Sequence, residues 1–219
     1  MGGGNKPTLN NDIFKSQDLR ITSFLPMWAS KKEINLFLQY TLTSKNYLEF
    51  GCGGSTFLMI YATLANVISI ESDKKFINHL LKNDLLLRAS KNNGLNSLRL
   101  FHIDIGKVKE WGVPADEYKK ENYPLYSQHI FKVLSQKEIE NIDTIFIDGR
   151  FRVACTLCAI LYCKSDVLII IHDFWEREYY HIVLEFLECI NRVETLGIFQ
   201  IKKDICKDKV NKLLHKYQI

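Results

Sequence analysis

A chain of 219 residues, 47% hydrophobic and 25% charged, has the balance of an ordinary globular domain; this excludes a disordered chain, a collagen-like repeat and a disulfide-stapled miniprotein. Twenty-nine Lys and Arg against 25 Asp and Glu leave a net charge of +4, which admits an anionic ligand but is too mild to argue for nucleic acid. No apolar run approaches the ~20 residues that cross a bilayer, and the N-terminus shows no charged region followed by an apolar stretch. Lys6 stands where a myristoylation signal needs Ser or Thr. Six unevenly spaced cysteines read as reduced thiols, so the expected setting is the cytoplasm, with no membrane partner.

Residues 1–29 read as an N-terminal arm ending in the apolar stretch Phe24 to Trp28, and residues 30–219 as one domain. Ser30 and Glu33 form a capping box, and Ile34, Phe37, Leu38 and Thr41 recur at helical spacing to about Leu42. Strands are expected at Tyr47 to Gly51, Val67 to Glu71, Ser97 to Ile103, Ile142 to Asp148 and Val167 to His172. Between them lie a helix at Thr56 to Leu64, a long amphipathic helix at Asp73 to Ala89 and another at Arg152 to Tyr162. Glu176 to Ile190 reads as a helix, Val193 to Lys202 as a hairpin broken near Gly197, and the tail from Asp204 as a lysine-rich helix. This alternation implies right-handed crossovers and a largely parallel, seven-stranded sheet covered on both faces. The interruption at 106–140, rich in Trp111, Tyr118, Tyr123 and Tyr126, reads as a lid insertion.

In such a sheet, ligands bind beyond the carboxyl ends of the strands. The first strand ends in Glu49-Phe50-Gly51-Cys52-Gly53-Gly54-Ser55-Thr56, a turn in which glycine lets a ligand approach the backbone. A dinucleotide fingerprint needs a glycine where Thr56 stands, to seat a pyrophosphate on the helix. Glu71 ends the second strand 20 residues after Gly51 and can accept bonds from a ribose diol. Asp104 follows the third.

This ordered set, with Ile145-Phe146-Ile147-Asp148-Gly149, resembles the class I S-adenosylmethionine-dependent methyltransferases over residues 36–202. The resemblance implies a Rossmann-like fold and a cofactor held by Glu49, Gly51, Gly53, Gly54, Ser55, Thr56, Glu71 and Asp104. In that family Glu49 would position the methionyl amino group, Glu71 the ribose hydroxyls and Asp104 the adenine. It further implies O-methylation of a small polar acceptor such as a sugar or nucleotide-sugar. Two rival classes remain: a non-catalytic S-adenosylmethionine-binding protein and an NAD-dependent oxidoreductase.

Strands four and five are neighbours in such a sheet, so Asp148, His172 and Asp173 should converge at the reacting end. His172 is the expected base, with Asp148 or Asp173 orienting it or acting instead. The resemblance to sugar O-methyltransferases also admits a divalent ion such as Mg²⁺ there, although Asp173 and Asp148-Gly149 have ordinary capping and turn roles. Arg150, Arg152 and Arg177 are the anion candidates, and Trp111 the aromatic one, for binding the acceptor. The Cys155, Cys158 and Cys163 cluster falls on one helix with no second pair to complete a zinc site. The sequence Asp148-Gly149-Arg150-Phe151 lacks the Asn/Asp-Pro-Pro-aromatic pattern of base-modifying enzymes, which disfavours nucleic acid.

Overall fold

A computed structural model describes residues 24–217, so expectations for residues 1–23 of the arm lie outside it. Helix α1 (Lys31–Thr41) opens on the expected capping box: Ser30 Oγ accepts the Glu33 amide, and the Glu33 carboxylate accepts the Ser30 amide. Then follow β1 (Asn46–Phe50), α2 (Gly54–Ala62), β2 (Asn66–Glu71), α3 (Lys74–Leu80), α4 (Asp84–Ser90) and β3 (Leu98–His102). The second half holds α5 (Tyr123–Val133), α6 (Gln136–Asn141), β4 (Thr144–Ile147), α7 (Arg152–Tyr162), β5 (Leu168–Ile171), β6 (Leu187–Val193), β7 (Leu196–Ile201) and α8 (Lys207–Tyr217).

The seven strands form one sheet in the order β3-β2-β1-β4-β5-β7-β6. Strands β1 to β5 pair in parallel, and β7 runs antiparallel between β5 and β6. Side chains alternate across the pleat, so Leu48 and Phe50 pack with Ile130, Leu157 and Leu214 on one face, while Tyr47 packs with Phe37 and Phe57 on the other. Sequence order reverses between β1 and β4, which opens the crevice beyond their carboxyl ends. Register fixes what meets there: Phe50 faces Ile70 and Ile147, Glu71 faces His102, and Ile147 faces Ile171.

Three expectations change. The long helix at 73–89 is two helices. Asn83 Oδ1 accepts the Leu85 and Leu86 amides and starts α4 anew, so Ile77 and Leu80, then Leu86 and Ala89, all reach the same core. An unbroken helix would carry Asp84 round toward that core instead. The expected helix at 176–190 is a 3-10 segment (Glu178–Glu185) followed by β6, and the hairpin turns at Glu194 and Thr195 rather than near Gly197, which lies within β7 and pairs with Arg192 and Ile171. Tyr180, Val183 and Leu187 mimic helical spacing, but Leu187 already pairs with Ile201 across the sheet. The 106–140 insertion is not irregular throughout: α5 and α6 occupy its second half, and Tyr123 and Tyr126 are buried core residues there.

Candidate active site

The turn after β1 is held from below. Glu49 is buried under α2, where its carboxylate accepts the hydroxyls of Tyr47 (3.1 Å), Ser55 (2.8 Å) and Thr56. The side chains of Glu49, Ser55 and Thr56, expected to touch a cofactor, are therefore turned inward on one another. They brace the glycine turn from beneath. Gly51 sits at φ +94° and donates its amide to Ile70 O at 2.8 Å. A Cβ there would stand 2.7 Å from the Gly149 backbone, so the turns after β1 and β4 close only because both residues are glycine. Gly53 has open space where a side chain would be, whereas a side chain on Gly54 would collide with Pro26 and Met27 of the arm. Gly53 thus faces the crevice, and the Gly54 position is already covered.

Glu71 ends β2 with its carboxylate anchored by the Ser72 (2.6 Å) and Asp73 (2.9 Å) amides, and it reaches across to the Cys52 amide at 3.3 Å. It joins the acid strand end to the glycine turn, and it is buried. Asp104 is exposed and carries a contact no motif indicated: Lys119 of the insertion pairs with it and holds its carboxyl below the usual aspartate range.

Asp148, His172 and Asp173 do converge. His172 Nδ1 lies 3.0 Å from Asp148 Oδ1 and 3.7 Å from Asp173 Oδ1. Its other nitrogen faces Glu33 Oε2 at 3.8 Å. Glu33 was legible as a cap, but its reach into this cluster was not. Its Oε1 also accepts the Thr195 amide (3.0 Å) and hydroxyl (2.6 Å), tying α1 to the β6–β7 turn. Burial opposes the charge on His172, yet the Asp148 hydrogen bond and the charges of Asp148 and Asp173 outweigh it and raise its pKa.

Arg152, expected at the acceptor, is instead buried at 6% exposure. Its guanidinium bonds the carbonyls of Gly149 (3.1 Å), Asp148 (2.9 Å) and His172, and pairs with both Asp148 Oδ1 (3.0 Å) and Asp173 Oδ2 (3.2 Å). It starts α7, and the left-handed Phe151 before it (φ 52°) aims it back beneath the strand ends. Arg177 is likewise committed, to Asp173 Oδ2 at 2.8 Å and the Tyr180 hydroxyl at 3.0 Å.

Two of the four acceptor candidates stay at the mouth. Arg150 Nη1 donates to Trp111 O at 3.3 Å, and a Cβ built on Gly112 would stand 3.2 Å from Ser72 Oγ and 3.6 Å from Arg150 Cδ. The 110–112 turn therefore lies across the ends of β2 and β4. Trp111 is 71% exposed and meets Trp28 of the arm edge to face, with ring centroids 5.9 Å apart. Trp111 (φ 62°), Phe151 and Asp173 (φ 53°) are non-glycine residues in left-handed backbone around this one crevice, a concentration of strain typical of working sites.

Burial also pushes the Glu49 carboxyl up from 4.5 to about 7, against the pull of the Thr56 and Ser55 hydroxyls. An acid with a higher pKa folded than unfolded binds its proton more tightly when folded, so stability falls as pH rises between those two values. His172, raised from 6.5, contributes stability that is present below 6.5 and is lost as pH passes its folded pKa. We expect urea-unfolding stability to decline from about pH 5 to about pH 8 and Glu49→Gln to flatten that decline. An equal slope in both proteins would refute the assignment.

No family model and no curated protein matches the chain. Solved structures do. A methyltransferase-like protein from Silicibacter pomeroyi superposes with a TM-score of 0.75 at 23% identity, covering 89% of this chain and 97% of that one. An RNA methyltransferase from Salinibacter ruber, in complex with S-adenosyl-L-homocysteine, gives 0.47 at 12% identity over 83% of this chain and 98% of its own. The N-methyltransferase NodS from Bradyrhizobium japonicum gives 0.46 at 13%, over 78% and 93%. The first likeness shows the fold: the chain has the Rossmann-like class I methyltransferase architecture expected from its sequence. No described helix is long and apolar enough to cross a membrane.

Proposed function

We propose that this chain is an S-adenosylmethionine-dependent methyltransferase acting on a hydroxyl of a small polar acceptor, a sugar or nucleotide-sugar. The observation that carries the cofactor reading is the way Glu71, Cys52 and Gly53 meet. A ribose diol fits an anchored carboxylate beside a glycine whose side-chain position is open space. A dinucleotide does not fit, because the Gly53 amide at the start of α2 is already taken by Thr56 Oγ1 at 2.8 Å and Pro26–Met27 cover Gly54. A pyrophosphate would need that helix end. Gly51, Gly53 and Glu71 are therefore the residues assigned to the cofactor, with Asp104 at the adenine end once Lys119 yields.

The bound cofactor supplies a methyl group already activated on a sulfonium. The chain's own work is alignment, water exclusion and removal of one proton. Both nitrogens of His172 face carboxylates, which favours the imidazolium and suits it to holding Asp148 rather than to taking the proton. Arg152 and His172 both contact Oδ1 of Asp148, on a carboxylate that is one-third exposed, leaving Oδ2 to accept the hydroxyl proton as the new bond forms. Trp111 and Trp28 offer apolar rings for a sugar face, and Arg150 a guanidinium for a phosphate or carboxylate. Six free cysteines fit a reducing compartment, and we place the protein in the cytoplasm.

Calorimetry with S-adenosylhomocysteine is the test. Wild type should bind it, and Glu71→Gln should weaken binding by about 1–3 kcal/mol through lost ribose hydrogen bonds. Absence of binding, or tight NAD binding in its place, would overturn the reading. Binding with no turnover across an acceptor library would favour the non-catalytic alternative.

A further inference from the structure

Asp148, His172 and Asp173 each offer a ligand atom, and these atoms lie within 4.8 Å of one another, a spacing a divalent cation could use. The residues around them do not fit one. Arg152 already stands between the two carboxylates, 3.0 Å from Asp148 Oδ1 and 3.2 Å from Asp173 Oδ2. All three of its guanidinium nitrogens are engaged, and three backbone carbonyls, of Asp148, Gly149 and His172, hold the fork in place. A carboxylate can only accept, so His172 Nδ1 must carry a hydrogen to bond Asp148 and has no lone pair for a metal. Arg177 adds a second cation on Asp173 Oδ2. Arg152 and Arg177 therefore already balance Asp148 and Asp173, and a dication would enter a neutral cluster.

We propose that Arg152 is a tethered cation occupying the position a divalent ion would need between Asp148 and Asp173, so that this site works without a metal. Its positive role is to fix both carboxylates and the ends of β4 and β5 in one geometry. The absence of a metal in turnover rests on the methyltransferase reading; the occupancy of the cation position does not.

The full chain titrated with Mn²⁺, followed by electron paramagnetic resonance, tests the occupancy directly. Wild type and Arg152→Lys should bind no Mn²⁺ at this cluster up to about 1 mM. Arg152→Ser should gain a site at least about a hundredfold tighter, because the charge 3.0 Å from Asp148 Oδ1 and 3.2 Å from Asp173 Oδ2 is gone. Adding Asp173→Asn to that variant should erase the gain. Micromolar Mn²⁺ binding by wild type that Asp173→Asn abolishes would overturn the proposal, as would a folded Arg152→Ser that binds no better than wild type. Should Arg152→Ser fail to fold by circular dichroism, the wild-type and Arg152→Lys titrations decide alone, since either one binding tightly is fatal and neither binding is the expected result. In a separate arm, chelator should leave turnover unchanged. Loss of turnover to chelator would overturn metal independence, whereas failure of S-adenosylhomocysteine to bind would strike the methyltransferase reading and leave the Mn²⁺ result standing.

Discussion

Asp148→Asn is expected to lower methyl transfer by about 10²–10⁴-fold while S-adenosylhomocysteine affinity stays within a few-fold of wild type. The amide keeps the shape of the carboxylate, and its one carbonyl oxygen can still accept from Arg152 Nη2 and His172 Nδ1, each 3.0 Å from Oδ1. What is lost is the second oxygen, the one free to take the acceptor's proton. The proposed cofactor contacts are Gly51, Gly53 and Glu71, on other strand ends, so binding and turnover should separate. Asp173→Asn is the control: its Oδ2 is spent on Arg152 and Arg177, and turnover should fall less. Calorimetry paired with product release across an acceptor library reads both quantities. Normal turnover in the Asp148 variant would move the proton acceptor elsewhere and end this assignment.

The largest stability loss is expected from Arg152→Leu, about 3–5 kcal/mol in urea unfolding at neutral pH. Leucine fills part of the volume but answers none of the charges. Asp148 and Asp173 would keep their carboxylates beside a buried imidazole, and the carbonyls of Gly149 and His172 would lose the donors that reach them from α7. Removing one partner of a buried pair leaves the other charge uncompensated, which costs more than an exposed ion pair ever contributes. Lysine can restore one charge but not the fork, so Arg152→Lys should fall between the two. A loss of less than about 1 kcal/mol for Arg152→Leu would mean that water reaches these carboxylates and that the network is an ordinary surface one.

Legibility followed the range of the interaction. The strand ends were readable because a buried parallel strand is a short apolar run closed by a polar or glycine residue. The cap at Ser30 and Glu33 was readable because it spans one helical turn. The helix at 176–190 misled because Tyr180, Val183 and Leu187 repeat at helical spacing, and only pairing with Ile201 makes Leu187 a strand residue. The insertion misled in the opposite sense: its aromatics read as a lid, but Tyr126 is needed in the core, where it packs on Phe151 and crowds Gly149.

The sequence alone determined the alternation of strands and helices as far as β5 and the acid at the end of β2, because hydrophobic period is local; the convergence of Asp148 with His172 and Asp173 was expected from the family resemblance, which makes β4 and β5 neighbours. Only the tertiary structure decided which of those polar side chains look outward. Arg150 and Arg152 differ by two positions along the chain, yet one lies at the mouth against Trp111 while the other is turned beneath it by a left-handed Phe151 and the start of α7. Glu33 joins the cluster from the far end of the sequence because α1 packs beside the β6–β7 turn. Direction and partnership of a charged side chain are set by which backbone carbonyls and carboxylates surround it in three dimensions. Residue type and spacing do not carry that information.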